Sequence, residues 1–147
     1  MLDTNVVLDL LLYRDPRVRA LAIAIEQGSV RVVTDAACLA ELTDVLSRDT
    51  LGATPASRSA AQLAYQSMAE LVTSNVGGRE LTLPQCRDAT DQKFMELAAR
   101  SGARLLVTRD RALLELARRI GTLAVFEIVD PAGAALWLAE HVPSATP

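Results

Sequence analysis

Acidic side chains at the ends of predicted strands are the residues of this chain with the clearest chemical potential. Asp3 separates a short apolar lead from the apolar run at residues 6–8. Asp110 likewise follows an apolar stretch at residues 105–108 and precedes a helical run. In open parallel α/β sheets, sites form at the turns that follow the carboxyl ends of the strands. These two acidic turns therefore predict a cluster of carboxylates that holds a metal ion.

Two further segments add carboxylates to the same prediction. Asp91 lies at the start of a predicted helix, and the residues three, four and seven positions after it are apolar, so it lies in line with the apolar stripe. Glu41 lies in the middle of another predicted helix, with small or apolar residues one turn away on each side. Each acid also has a simpler interpretation, because an Asp before a helix is most often an N-cap and a mid-helix Glu can reach solvent from a half-buried stem.

Several carboxylates at one end of a sheet repel one another unless a cation neutralises them. Mg²⁺ and Mn²⁺ are the expected cations, because both are hard ions that prefer oxygen ligands. A zinc site is not predicted, since the single histidine, His141, lies near the C-terminus and Cys38 and Cys86 are far apart. The chain also lacks the Gly-x-Ser-x-Gly elbow of serine hydrolases and the glycine-rich phosphate-binding loops.

Length and composition indicate one cytoplasmic domain. A chain of 147 residues is predicted to form a single domain, here residues 1–142, followed by a frayed tail at 143–147. Half of the residues are hydrophobic and only 3% are aromatic, so the core is expected to be aliphatic. The net charge of −3 gives no overall attraction to nucleic acid. The two cysteines are expected to be reduced thiols, and neither a secretory signal nor a membrane-spanning run is predicted.

Strands that alternate with helices predict an α/β fold with a parallel sheet. The pattern places strands at residues 1–3, 30–34, 104–108 and 123–128, with a further short strand at 81–83. It places helices at residues 4–13, 16–28, 35–48, 57–72, 90–101, 111–120 and 131–141. In the helix at 57–72, Leu63 and Tyr65 are expected to pack inward. The sheet is the element that must bring the acidic segments together.

Four acidic segments, in this order and spacing, resemble the motifs of PIN domains. They are Leu2-Asp3-Thr4-Asn5-Val6, Ala40-Glu41-Leu42, residues 88–94 (Asp-Ala-Thr-Asp-Gln-Lys-Phe) and residues 106–110 (Leu-Val-Thr-Arg-Asp). In particular, the chain resembles the PIN-family toxins of bacterial toxin–antitoxin systems, of the VapC type. The resemblance covers nearly the whole chain and is weakest over residues 49–80. It implies a PIN-like three-layer fold, with a central parallel sheet flanked by helices. It also implies a Mg²⁺- or Mn²⁺-dependent ribonuclease, a hydrolase in which a metal-activated water attacks an RNA phosphodiester.

The same resemblance assigns roles to individual residues. The implied catalytic acids are Asp3, Glu41, Asp91 and Asp110, and the implied metal ligands are Asp3, Asp91, Asp110 and Asp88. Asn5 and Thr108 match positions that support the metal site by hydrogen bonds. Whether Asp88 or Asp91 lies nearer the metal stays open, as does the choice between Glu41 and Asp91 as the group that orients or deprotonates the water. The chain departs from the family in its very short first strand.

Cationic side chains stand beside the acidic turns. Of fifteen basic residues only Lys93 is a lysine, and it follows Asp91 by two positions. Arg109 and Arg111 flank Asp110. Arginine binds phosphate in a bidentate manner, so these three cations are predicted to contact the RNA backbone. Arg109 occupies a position where close relatives often carry glycine, and it is expected either to crowd the site or to reach a phosphate.

A toxin of this kind implies a cognate antitoxin protein. The antitoxin is expected to bind as an extended or helical segment in an apolar groove near the site. The run at residues 8–12 and the helix at 57–72 are the expected walls of that groove. Self-association as a two-fold homodimer is a further expectation.

Two other functions compete with the nuclease. A non-catalytic PIN-like scaffold that binds RNA or protein has the same fold, but acids at all four positions argue against it. A phosphatase of the haloacid-dehalogenase type also begins with an Asp after its first strand. Its motif has a second Asp two residues later, where this chain has Asn5. The ribonuclease is therefore the favoured function.

Overall fold

The computed structural model describes residues 1–73, 82–123 and 125–143. The α-helices are α1 (Thr4–Leu8), α2 (Arg19–Glu26), α3 (Ala36–Leu46), α4 (Pro55–Met68), α5 (Gln92–Ser101), α6 (Arg111–Leu114), α7 (Ala117–Leu123) and α8 (Pro131–His141). The strands are β1 (Val32–Thr34), β2 (Ala69–Leu71), β3 (Leu105–Val107) and β4 (Glu127–Val129). A π-helical turn (Asp9–Tyr13) extends α1, and 3-10 turns lie at Pro16–Val18, Asp49–Leu51 and Ala89–Asp91. Within the described ranges, no helix combines the length and the hydrophobicity that a bilayer-spanning segment requires.

The strands pair in parallel, which confirms the predicted α/β class. β1 pairs with β2, with Val33 opposite Glu70, and β3 pairs with β4, with Leu106 opposite Ile128. These described strands form two separate two-stranded sheets rather than one continuous central sheet. Each strand is only three residues long, so the backbone ladder contributes few hydrogen bonds and the helices provide most of the packing surface.

The predicted first strand is reduced to one parallel bridge, between Leu2 and Val107. The N–H of Asp3 donates to the carbonyl of Val107, and the N–H of Val107 donates to the carbonyl of Met1, each at 3.0 Å. Leu2 is buried, so the short apolar lead still packs into the core. This bridge fixes Asp3 directly beside the carboxyl end of β3.

Two clusters of buried, mostly aliphatic side chains hold the elements together. The first includes Val6 of α1, Leu42 of α3 and Tyr65 of α4. The second includes Phe94 of α5 and Leu106 of β3. Burial of one large apolar side chain contributes roughly 1.5–3 kcal/mol, so these clusters outweigh the short strands as the source of stability.

Helix ends follow the sequence closely. The Asp35 carboxylate accepts a hydrogen bond from the N–H of Cys38 at 2.8 Å and so forms the N-cap of α3. Asp35 also pairs with Arg100, and this contact ties α3 to α5. Gly102 ends α5 with φ at 69°, a left-handed conformation that glycine adopts without strain.

Several local predictions are wrong, and each error reflects tertiary packing. Residues 69–71, predicted as helix, form β2. Their sequence lacks the apolar alternation of a strand, and it is the pairing with β1 that makes them extended. The predicted helix at 111–120 is divided into α6 and α7, and the N–H of Leu116 bonds the carbonyl of Leu113 at 3.0 Å at the break. Tyr65 is buried as predicted, whereas Leu63 is 66% exposed.

The C-terminal predictions are partly met. The last strand begins at Glu127, and Leu123, predicted to open that strand, instead ends α7. The predicted helix at 131–141 is α8. Residue 81 of the predicted strand at 81–83 and residues 144–147 of the predicted tail lie outside the described residues, and residues 82 and 83 have no regular secondary structure.

Candidate active site

The turn after β3 joins Asp3 and Asp110 through Thr108. Thr108 Oγ1 donates a hydrogen bond to Asp3 Oδ2 at 2.7 Å and accepts one from the N–H of Asp110 at 2.9 Å. Thr108 is fully buried, and Asp3 is 3% exposed. Burial raises the pKa of Asp3, the hydrogen bond from Thr108 opposes that rise, and the charge of Glu41 adds to it. The fold therefore holds Asp3 in place against an electrostatic cost.

Asp110 caps a helix and also belongs to the acidic cluster, which consists of Asp3, Glu41, Asp88, Asp91 and Asp110. Its Oδ1 accepts hydrogen bonds from the N–H groups of Ala112 at 2.8 Å and Leu113 at 3.2 Å, which begins α6. The simple N-cap interpretation thus holds for one carboxylate oxygen. The negative charge of Asp110 nevertheless contributes to the raised pKa values of Asp3 and Asp91, so Asp110 lies within electrostatic range of both.

Asp88 and Asp91 differ in their surroundings. Asp88 Oδ1 accepts hydrogen bonds from the N–H and the Oγ1 of Thr90 at 2.9 and 2.7 Å, and these bonds lower the pKa of Asp88. Asp91 is half-buried at the start of α5 and makes no capping hydrogen bond. Burial raises the pKa of Asp91 to about 6. The charges of four other acids add to that rise, in decreasing order Asp3, Asp110, Asp88 and Glu41.

Glu41 extends from α3 to two partners on other helices. Its Oε1 accepts a hydrogen bond from Thr4 Oγ1 at 2.7 Å, and its Oε2 forms an ion pair with Lys93. Lys93 Nζ also donates to the carbonyl of Thr90 at 2.6 Å. The side chains of Glu41 and Lys93 are 26% and 24% exposed, so the pair is partly shielded from water. Helices α1, α3 and α5 meet at this carboxylate.

An open cleft of about 760 Å³ lies beside the acidic turns. It is lined by Asn5, Arg87, Asp88, Ala89, Arg109, Asp110, Arg111 and Ala112. Arg87 and Arg111 are exposed at its rim, and Arg87 makes only a loose ion pair with Glu115 at 3.5 Å. Arginines next to carboxylates suit a ligand that carries phosphate and approaches a bound cation.

Arg109 is engaged by a buried acid. Its Nη2 donates to Asp9 Oδ1 at 3.0 Å, and its Nε lies 2.7 Å from Asp9 Oδ2. Asp9 belongs to the π-helical turn and is 3% exposed. Burial raises the pKa of Asp9, and the charge of Arg109 opposes that rise. The ion pair joins the π-helical turn to the turn that carries Asp110, and the contact of Arg109 with phosphate stays a prediction.

The acidic turns at the strand ends, beside a cleft lined by arginines and aspartates, agree with a known protein family. A family model described as PIN domain matches residues 1–112. The chain belongs to the PIN domain family. Neither the curated proteins nor the solved structures compared with the chain give a match. PIN domains are generally metal-dependent nucleases, so the chain has a nuclease-type fold.

The acids of this PIN domain fit a divalent cation in their chemistry. All are carboxylates, the donors that Mg²⁺ prefers, and the pKa of Asp91 is raised first by burial and then by the negative charges of the neighbouring acids. The ammonium of Lys93 already stands in as a cation at Glu41. In the part of the chain that the structure describes, no three His, Cys, Asp or Glu side chains converge closely enough to hold one ion. A metal held by three of these acids would require their side chains to move closer together.

Sequence patterns did not single out three residues of this site: Thr4 and Asp9, which bind predicted residues, and Arg87, which lines the cleft. Thr4 binds Glu41, and its place directly after Asp3 in the first acidic turn could have indicated a role in the site. Asp9 had no such signal, because its partner is 100 residues away in the chain. Arg87 directly precedes Asp88 and could have been counted with the other cations beside the acidic turns.

The raised pKa of Asp91 predicts how stability changes with pH. The ordinary value is 3.8 and the folded value is about 6. Between these values the folded protein binds a proton that the unfolded chain has released, so the free energy of unfolding falls as pH rises from about 4 to about 6. Urea unfolding in EDTA at both pH values measures this fall. Asp91→Asn is expected to reduce it, and an unchanged slope in that variant would contradict the electrostatic account.

Proposed function

We propose that this PIN domain is a metal-dependent endoribonuclease that hydrolyses RNA phosphodiesters with Mg²⁺ or Mn²⁺. The observation that carries the proposal is the proximity of acids from four segments: Thr108 links Asp3 to Asp110, and the charges of the neighbouring acids add to the burial that raises the pKa of Asp91 to about 6. Carboxylates that the fold holds together in this way form a natural ligand set for a cation. A bound divalent ion supplies Lewis-acid activation of water and of the phosphodiester.

Asp3, Asp91 and Asp110 are the proposed metal ligands, with Asp88 as an outer acid. Asp91 is preferred over Asp88 because it is half-buried, makes no capping bond and is repelled by the other acids. Asp88 is exposed, and one of its oxygens already binds Thr90.

Glu41 is the proposed group that orients or deprotonates the attacking water. It is partly exposed and lies in the middle of α3, whose N-cap is Asp35, so its carboxylate can act on a water without loss of a helix cap. Thr108 is proposed to hold Asp3 in its orientation, and Asn5 to support the site from the rim of the cleft. Arg111 and Arg87 are the proposed contacts for RNA phosphates, joined by Arg109 where its pair with Asp9 allows.

Cleavage of a panel of labelled single-stranded RNAs tests the proposal. Incubation with Mg²⁺ or Mn²⁺ is expected to give cleavage, and EDTA is expected to abolish it. Hydrolysis of a chromogenic phosphomonoester, without RNA cleavage, would instead indicate a phosphatase. RNA binding without cleavage and without calorimetric binding of Mn²⁺ would indicate a non-catalytic scaffold.

We further propose that the nuclease is the toxin of a toxin–antitoxin pair. A groove of about 640 Å³ between the π-helical turn, α2 and α4 supports an antitoxin site. Its lining includes Leu10 and Leu11, from the run at residues 8–12, and Ala60, Ala61 and Ala64 of α4, which supports these two segments as walls of an antitoxin site. Expression of the chain is expected to slow bacterial growth, and normal growth together with no small co-encoded protein in pull-downs would count against the role.

The wider organisation is also a proposal. Residues 1–142 are proposed to form one PIN-like domain in which the paired strands and the Met1–Leu2 segment make up the central layer of a three-layer fold. Elements from α1 to α8 contribute to the shared core clusters, which supports one domain. We also propose that the protein forms a two-fold homodimer. Its proposed site of action is the cytoplasm, where RNA substrates occur.

A further inference from the structure

Lys93 is the one lysine of the chain, and it is bound inside the acidic cluster. Its ammonium forms an ion pair with Glu41 Oε2, donates to the carbonyl of Thr90 at 2.6 Å and lies 5.0 Å from the centre of the Phe94 ring. Three separate contacts thus hold an amine whose side chain is only 24% exposed. A long, flexible side chain held in this way is positioned rather than simply solvated.

The position of Lys93 matters because its ammonium engages the carboxylate of Glu41. With Oε1 held by Thr4 and Oε2 held by Lys93, both oxygens of Glu41 are occupied. This occupancy agrees with the absence, among the described residues, of three acids that converge on one point. The carboxylate is within charge range of Asp91, so it belongs to the cluster electrostatically although its oxygens are engaged elsewhere.

We propose that Lys93 is an internal counter-cation of the active site: its ammonium holds Glu41 in the metal-free protein and releases it when a divalent cation enters. The inference rests on the proposed metal-dependent function and adds a positioning residue to it. A divalent cation held by Asp3, Asp91 and Asp110 would place two positive charges near the ammonium of Lys93, and their repulsion would weaken its ion pair with Glu41. Lys93 retains its bond to the Thr90 carbonyl and is then free to meet a phosphate of the substrate.

Chemical labelling of the amine measures the release directly. An amine-reactive acetylating ester is applied to the full chain, and mass spectrometry follows modification of the peptide that contains Lys93. The α-amino group of Met1, the other amine, is buried and lies on a different peptide, so the side-chain signal is unique. Mg²⁺ is expected to raise the rate of Lys93 acetylation severalfold. NaCl at equal ionic strength is the control for simple screening of the ion pair.

Asp3→Asn provides the matched control for this experiment. It removes a proposed metal ligand that does not touch Lys93, so Mg²⁺ is expected to leave the acetylation rate of this variant unchanged. An unchanged or lower rate in the wild-type protein, under conditions where calorimetry detects bound metal, would overturn the role of Lys93 and leave the nuclease proposal standing. Calorimetry that detects no Mn²⁺ or Mg²⁺ binding would overturn both.

A double-mutant cycle provides a second, independent measurement. Lys93→Met is expected to tighten Mn²⁺ binding by about tenfold or more, because the ion no longer has to displace an ammonium from Glu41. In the Glu41→Gln background the same change is expected to alter the affinity by less than about twofold, because only the long-range charge of Lys93 is then lost. Equal tightening in both backgrounds, or weaker binding of Mn²⁺ by Lys93→Met, would overturn the proposal. Thermal unfolding verifies that each variant is folded.

Discussion

Replacement of Asp3 by asparagine is expected to abolish metal binding and RNA cleavage while the protein stays folded and becomes more stable. Metal ions supply several kcal/mol of transition-state stabilisation, so cleavage is expected to fall about a thousandfold. The gain in stability follows from burial, which raises the pKa of Asp3 and makes the ionised carboxylate unfavourable in the folded state at neutral pH. Calorimetry with Mn²⁺, cleavage of RNA and urea unfolding in EDTA measure the three effects.

The opposite signs of these effects are the informative part. Replacement of a residue that serves packing lowers the stability of the protein. Replacement of a residue that serves catalysis lowers its activity and can raise its stability. Asp15→Asn is the matched control, because Arg17 holds the pKa of Asp15 at about 2 and the pair lies outside the cluster. It is expected to reduce stability slightly and to leave metal binding intact. Full metal affinity and cleavage in both Asp3→Asn and Glu41→Gln would show that the proposed mechanism is wrong.

Loss of the Arg109 side chain is expected to be the most damaging single change to stability outside the apolar core. Arg109→Gln leaves the carboxylate of Asp9, which is 3% exposed, without its charged partner. Removal of one member of a buried ion pair costs about 3–5 kcal/mol, and the lower end is expected here because the Arg109 side chain is 37% exposed. Urea unfolding at neutral pH in EDTA measures the loss.

Two further variants separate this explanation from general sensitivity of the region. Arg17→Gln removes an arginine that pairs with Asp15 on the surface, and it is expected to leave stability nearly unchanged. The double variant Asp9→Asn/Arg109→Gln is expected to be more stable than Arg109→Gln alone, because no unpaired charge remains buried. If Arg109→Gln and Arg17→Gln lowered the free energy of unfolding by equally small amounts, the Asp9–Arg109 pair would not stabilise the contact between the π-helical turn and the turn that carries Asp110.

Features encoded by neighbouring residues were predictable from the sequence. The apolar periodicity of α5, the cap at Asp35, the left-handed end at Gly102 and the strand before Asp110 depend on residues a few positions apart. The prediction of β2 failed for the converse reason, since its conformation depends on pairing with β1, more than 30 residues earlier in the chain. The exposure of Leu63 likewise depends on which face of α4 the rest of the fold covers.

The active site divides in the same way. The sequence by itself determined which acids follow strands and precede helices, and hence the family, because those motifs are local and ordered. Only the tertiary structure decided the partners: Thr108 with Asp3, Lys93 with Glu41 and Asp9 with Arg109. Contacts between residues distant in the chain depend on how whole elements pack, and burial and charge at these contacts set the properties of each side chain. No local pattern carries that information.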